Sequence, residues 1–159
     1  MKSECLIRPL RIEERGQLRS FLLEAVYQKP GSPPLDPALA DEPMLSQYWS
    51  DFSHPGDHCL VAEYNTTLVG AVWTRFLSHG YGHVADDIPE LSISVLDTYR
   101  NQGVGTLLLR AMLHLLSELG YQSVSLSVQK ENPARNLYER LGFVLVREDG
   151  DDLVMVYSF

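Results

Sequence analysis

Apolar positions along the chain change period several times, and each change predicts an element. Leu6 to Pro9 is a short apolar run that suits a first strand. Leu18, Phe21, Leu22, Ala25 and Val26 then recur at helical spacing, predicting an amphipathic helix from about Glu13 to Tyr27. The stretch QKPGSPPLDPALADEP follows with five prolines between Pro30 and Pro43, which predicts an irregular loop or a series of turns. MLSQYWSDF offers one brief helix before SHPGD interrupts the chain again. Two strands, Cys59–Tyr64 and Leu68–Phe76, are joined by a turn at Asn65-Thr66-Thr67. After the loop LSHGYGHVADDIP, the alternation in ELSISVL marks a strand over Glu90–Leu96.

Helical spacing returns at Leu107, Leu108, Ala111, Met112, Leu115, Leu116 and Leu119, with Gly120 as the stop. QSVSLSVQ is a strand. ENPARNLYERLGF is a helix with Asn132 as N-cap, Pro133 at the first helical position and Gly142 just beyond the end. FVLVRE and LVMVY flank DGDD as a closing hairpin. The order is a mixed α/β (α+β) arrangement with one strand–helix–strand crossover. No repeat or linker divides residues 1–159, so a single domain is expected.

Composition narrows the partners. Thirteen basic and twenty-one acidic residues give a net charge of −8, which argues against a nucleic-acid surface and is compatible with a cationic acceptor. Cys5 and Cys59 match no metal spacing and lie in apolar surroundings, as reduced thiols would. His54, His58, His79 and His83 form no ligand pattern, and no metal site is predicted. The polar start MKSECLIRPL and the lack of a long apolar run point to a cytoplasmic protein with no membrane contact.

The chemistry concentrates in YRNQGVGT. Glycines ahead of a helix free backbone amides at the positive end of its dipole, a site for an anion. A P-loop needs Lys and then Ser or Thr after the second glycine, but Thr106-Leu107 follows Gly105. A dinucleotide turn needs a third glycine where Leu108 stands. What remains is Arg-x-x-Gly-x-Gly, here Arg100-Asn101-Gln102-Gly103-Val104-Gly105, followed one strand later by NPARNLYERLGF. Together these resemble the GCN5-related N-acetyltransferase (GNAT) superfamily, most strongly over Glu90–Phe143.

The resemblance implies the GNAT fold, with a mixed, mostly antiparallel sheet of about six or seven strands flanked by helices. It also implies an acetyl-CoA-dependent transfer of acetyl to a primary amine on a small molecule or peptide, with acetyl-CoA as co-substrate. The amides of Arg100, Asn101, Gln102, Gly103, Val104, Gly105 and Thr106 would take the pyrophosphate. Ile93, Ser94 and Val95 would face the thioester and pantetheine arm, and Asn132 would reach the same molecule. Tyr138, within Leu137-Tyr138-Glu139-Arg140-Leu141-Gly142-Phe143, would bind it and serve as general acid to the departing thiolate. Glu90 stands where some relatives keep a general base; Asp86, Asp87, His83 or a water chain are the alternatives. The proline-rich stretch Gln28–Pro43 and the loop Leu77–Pro89 would shape the acceptor site, with Tyr48, Trp49, Trp73, Phe76 and Tyr81 as aromatic walls. A homodimer is compatible with the family. Two other expectations are a non-catalytic acyl-CoA-binding module of the same fold and an interaction domain docking through the proline-rich segment.

Overall fold

The computed structural model describes residues 4–159. Seven strands form one sheet in the order β1-β2-β3-β4-β5-β7-β6. They are β1 Leu6–Pro9, β2 His58–Tyr64, β3 Thr67–Arg75, β4 Glu90–Val95, β5 Ser123–Gln129, β6 Val144–Asp149 and β7 Asp152–Ser158. The helices are α1 Leu18–Ala25, α2 Pro43–Ser46, α3 Val104–Glu118 and α4 Ala134–Leu141. All neighbours pair antiparallel except β4 and β5, which run parallel because α3 carries the chain from one to the other.

Alternation along the strands sorts side chains onto two faces. On one, Leu108, Leu109, Met112 and Leu116 of α3 meet Leu60, Val72, Leu126 and Met155. The i, i+4 spacing of Leu108, Met112 and Leu116 puts all three, fully buried, on one side of the helix. On the other face, Leu18, Phe21 and Leu22 of α1 cover Val61, Ala71 and Trp73. Each such fully buried side chain contributes about 1.5–3 kcal/mol relative to exposure. The two layers together hold the sheet flat-on between helices.

The expected helix over Glu13–Tyr27 is divided. Ile12–Gln17 is a 3-10 turn and only Leu18–Ala25 is α-helical. The Glu14 carboxylate accepts from the Arg11 amide at 2.8 Å and from both Arg8 guanidinium nitrogens at 2.9 and 2.8 Å, which tightens that first stretch. The hairpin turn ends one residue earlier than expected: Asn65 and Thr66, at φ 49° and 66°, are its two left-handed residues, and Thr67 already belongs to β3. The Asn132 side-chain oxygen accepts from the Ala134 amide at 2.9 Å just ahead of α4, which starts at Ala134 rather than at the expected Pro133, while Gly142 at φ 112° closes the helix.

Candidate active site

The sheet has a seam. β4 pairs with β3 along its whole length, and β5 with β7 along its whole length, yet β4 and β5 share only the Glu90–Ser125 bridge. Beyond it the strands diverge. The Leu96 amide donates to Val69 on the β3 side at 2.8 Å, and the Pro89 carbonyl accepts from Ser125 on the β5 side at 2.9 Å. Alternation therefore turns the backbone groups of Ile93 and Val95 into the gap. Ser94 is oriented differently from its neighbours. Its backbone faces β3, and its hydroxyl donates to the Phe21 carbonyl at 2.7 Å, fastening α1 to the strand.

Below the gap, the chain passes through a 3-10 turn at Asp97–Tyr99 into YRNQGVGT. Asn101 at φ 60° and Gly103 at φ 84° swing the backbone so that α3 starts at Val104. The first helical donor with a partner is Leu107, bonded to the Gly103 carbonyl at 3.1 Å. The amides of Asn101 to Thr106 meet no acceptor among the described residues, and they stand at the positive end of a 15-residue helix. Gly105 borders the gap. A methyl placed there would lie 3.7 Å from Leu137 and 3.9 Å from Val95.

Arg100 binds within the protein rather than standing free. Its guanidinium donates to the Val95 carbonyl at 3.0 Å and to the Glu24 carbonyl at 3.2 Å, joining β4, the turn and the end of α1. Gln102 turns back to the Thr98 carbonyl at 3.0 Å, and the Val104 side chain is core. These two contribute backbone, not side chains, to the turn.

A cavity of about 1050 Å³ runs over the seam and the turn. It is bordered by Ile93, Ser94, Val95, Arg100, Asn101, Gly103, Gly105, Thr106, Asn132 and Tyr138, so ten of the residues singled out in the sequence meet around one space. Tyr138 packs its ring edge-on to Phe143 with centroids 5.9 Å apart, and its hydroxyl has no hydrogen-bond partner among the described residues. Burial raises the Tyr138 phenol to about 12, which keeps it protonated. Leu23 to Gln28 and Pro34-Leu35 complete the opposite wall. Nothing in the periodicity marks that wall, because it is assembled by the docking of α1 on β4.

Glu90 lies at the vertex of the seam, and it is not the solvated strand-end carboxylate that its sequence position implies. Only 4% of it is exposed. Tyr48 donates to Oε2 at 2.5 Å, and Oε1 has no hydrogen-bond partner among the described residues. Burial raises its carboxyl; the Tyr48 hydrogen bond, the Gly82 amide and the charge of His83 act in the opposite direction. Glycines let the loop before β4 close over it: a methyl at Gly80 would sit 2.1 Å from Oε1, and one at Gly82 would sit 2.8 Å from the Leu126 backbone. Of the alternatives, His83 and Asp86 bond each other at 3.0 Å, and Asp86 and Asp87 are exposed.

The expected aromatic walls are a correction. Tyr48, Trp49, Trp73, Phe76 and Tyr81 do not border the large cavity. Tyr48 and Trp73 are core, the Trp73 indole donating to the Tyr48 carbonyl at 2.9 Å, while Phe76 and Tyr81 are exposed.

Residues 22–143 match the model of the acetyltransferase (GNAT) family. The chain belongs to that family. Among relatives of this GNAT protein, the [ribosomal protein bS18]-alanine N-acetyltransferase of Haemophilus influenzae is 42% identical over 60 residues, covering 38% of this chain and 41% of the relative. An N-alpha-acetyltransferase of Sulfurisphaera tokodaii is 34% identical over 111 residues, 60% of this chain and 65% of the relative. The chain thus spans less than two thirds of the length of these curated relatives. The fold is that of solved GNAT structures. The PaiA N-acetyltransferase from Thermoplasma acidophilum in complex with coenzyme A superposes with a TM-score of 0.70, at 18% identity, over 98% of this chain and 99% of that one.

Proposed function

We propose that this GNAT protein moves an acetyl group from acetyl-CoA directly to a primary amine. The observation that supports it best is the run of unpaired amides at Asn101–Thr106 opening into the same cavity as Tyr138 and the free edge of β4. A diphosphate fits that run because each amide hydrogen lacks an acceptor and the helix dipole favours negative charge. An extended amide-bearing arm fits the β4 edge, where Ile93 and Val95 have no partner on β5. When bound, acetyl-CoA supplies the activated acyl group.

The protein's own groups then divide the work. Amides at the β4 edge, preorganised by β3, stabilise negative charge developing on the acyl oxygen. Glu90, buried at the vertex of the seam and not itself on the cavity wall, accepts the proton released by the amine through water. Tyr138 donates a hydrogen bond to the departing sulfur. At about 12 its phenol is a much weaker acid than an ordinary thiol near about 8.5, so stabilising the thiolate is its main contribution.

The two relatives named above act on alanine of a ribosomal protein or on an N-alpha position, which favours a peptide α-amine as acceptor here. Chemistry agrees: an α-amine, with a pKa near about 7.7–8.0, is partly unprotonated at neutral pH, whereas a lysine amine near about 10.4 is not. The test is acetyl-CoA consumption with a panel of alanyl peptides and alkyl amines, beside calorimetric binding of coenzyme A. Tyr138→Phe should bind coenzyme A within about twofold of wild type and lose about 10²-fold or more in kcat. Binding without transfer to any amine would replace this function by a non-catalytic acyl-CoA-binding role.

A further inference from the structure

The hydroxyl of Tyr48 joins three segments that are distant in sequence. It donates to Glu90 Oε2 at 2.5 Å and accepts from the Tyr81 amide at 2.8 Å. Its ring lies nearly parallel to that of Tyr81, with centroids 6.4 Å apart. The segment that carries it is itself pinned to the sheet. Trp73 donates to the Tyr48 carbonyl at 2.9 Å, and Arg75 donates to the Gln47 and Ser50 carbonyls at 2.9 and 2.6 Å. Such a hydroxyl has little freedom. It can satisfy Tyr81 only as an acceptor, which leaves its single proton for Glu90.

We propose that Tyr48 is the positioning residue for Glu90, holding the carboxylate at the vertex of the seam and keeping it ionised in the pH range where an amine is acetylated. The proposal rests on Glu90 as the proton acceptor. Few other groups can do this. Arg75 lies directly across from Glu90 on β3, but its guanidinium is committed to Asp57 at 3.1 Å and to the carbonyls above. His83, on the loop before β4, favours the ionised form through its charge. Ser125 is the β5 neighbour and carries no charge. The Gly82 amide also favours ionisation, and it belongs to the same loop that Tyr48 secures through Tyr81. Tyr48 therefore acts on Glu90 twice, by its own proton and by holding that loop. Its phenol is pushed far above its ordinary range by burial and by the Glu90 charge, so it remains a donor at every working pH.

The direction of the effect follows. Removing the hydroxyl removes a group that favours the carboxylate while leaving burial in place, so Glu90 would hold its proton to higher pH. The decisive measurement needs no acceptor: the ¹³Cδ titration of Glu90 in glutamate-labelled protein, its resonance identified by its loss in Glu90→Gln. In Tyr48→Phe, which keeps the packed ring, the Glu90 midpoint should rise by about one unit or more, a tenfold change in the ionised fraction on the acid side. An unchanged or lowered midpoint overturns the proposal. The link to turnover is then read from kcat/KM against pH with an alanyl peptide. Tyr48→Phe should lose about tenfold on the acidic limb, regain wild-type rates within about twofold on the alkaline plateau, and leave the KM for acetyl-CoA unchanged. Equal loss at every pH would make Tyr48 a structural residue only and overturn the proposal. If Glu90→Gln keeps wild-type kcat, Glu90 is not the proton acceptor. The raised midpoint in Tyr48→Phe would then still assign control of its ionisation to Tyr48.

Discussion

Gly105→Ala separates what the turn does for folding from what it does for a ligand. Gly105 is in the first turn of α3 with an ordinary negative φ, so alanine fits its backbone without strain. The added methyl would meet Leu137 at 3.7 Å and Val95 at 3.9 Å, both normal contact distances. Alanine is better than glycine in a helix by up to about 1 kcal/mol, somewhat less in the first turn. The free protein should gain about 0.5–1 kcal/mol, or about 1–4 °C in Tm for a chain of this size. The same methyl stands between β4 and α4, where the ligand must pass to reach the amides of the turn. Losing one or two charge-assisted hydrogen bonds at about 1.5–3 kcal/mol each would weaken coenzyme A binding by about 10- to 10³-fold. Differential scanning calorimetry of the free protein and titration calorimetry with coenzyme A measure the two effects. A variant that melts lower than wild type, or that binds coenzyme A as tightly, would refute the assignment of this turn.

Three further outcomes follow from groups already described. Glu90→Gln should lower kcat by about 10²-fold or more while raising Tm at pH 8. Because burial raises the folded-state pKa of Glu90, its stabilising protonated form is lost as pH rises, so the gain in Tm should vanish near pH 4. Glu14 behaves in the opposite sense: the Arg8 guanidinium lowers it from 4.5 to about 2, so its stabilisation is present above pH 4.5 and disappears as pH falls towards 2. After solvent screening, that ion pair is worth about 1–2 kcal/mol, and Glu14→Gln should flatten the acid limb of a denaturation curve by this amount. Ser94→Ala should loosen α1 from β4 through the lost bond to Phe21, costing about 1–2 kcal/mol by urea denaturation.

Elements whose signal is local were legible in the sequence. The period-two run ELSISV, the leucine stripe of α3 and the Asn132–Gly142 bracket around α4 each carry their own evidence within a few residues. The turn was legible for the same reason, since two glycines and a helix start suffice to free amides. The setting of Glu90 was not. It depends on Tyr48, 42 residues away, and on Gly80 and Gly82 folding back over the carboxylate. No periodicity records such a meeting, so the side chain reads as an exposed strand end. The aromatic residues near the acceptor loops misled for a related reason: Tyr48 and Trp73 both lie beside loops in sequence, yet alternation along β3 sends Trp73 into the core, and Tyr48, in the turn after α2, is packed there with its carbonyl held by the Trp73 indole. The 3-10 turn at Ile12–Gln17 escaped because a charge cluster with Arg8, formed across a bend, outweighed helical spacing.

The single bridge between β4 and β5 also has a mechanical meaning. Two well-laced half-sheets, one of four strands and one of three, are stitched together through the sheet at one point; α3 packs on the four-strand half and shares a side-chain core with Leu126 and Met155 of the other. A ligand lying along the open edge would act as a missing rung. Occupancy would then be felt on both sides of the seam at once, so amide exchange in β5 and β7 would slow along with that in β4. The line where the sheet is joined by a single bridge and the proposed cleft are the same place, and a bound substrate would help to close it.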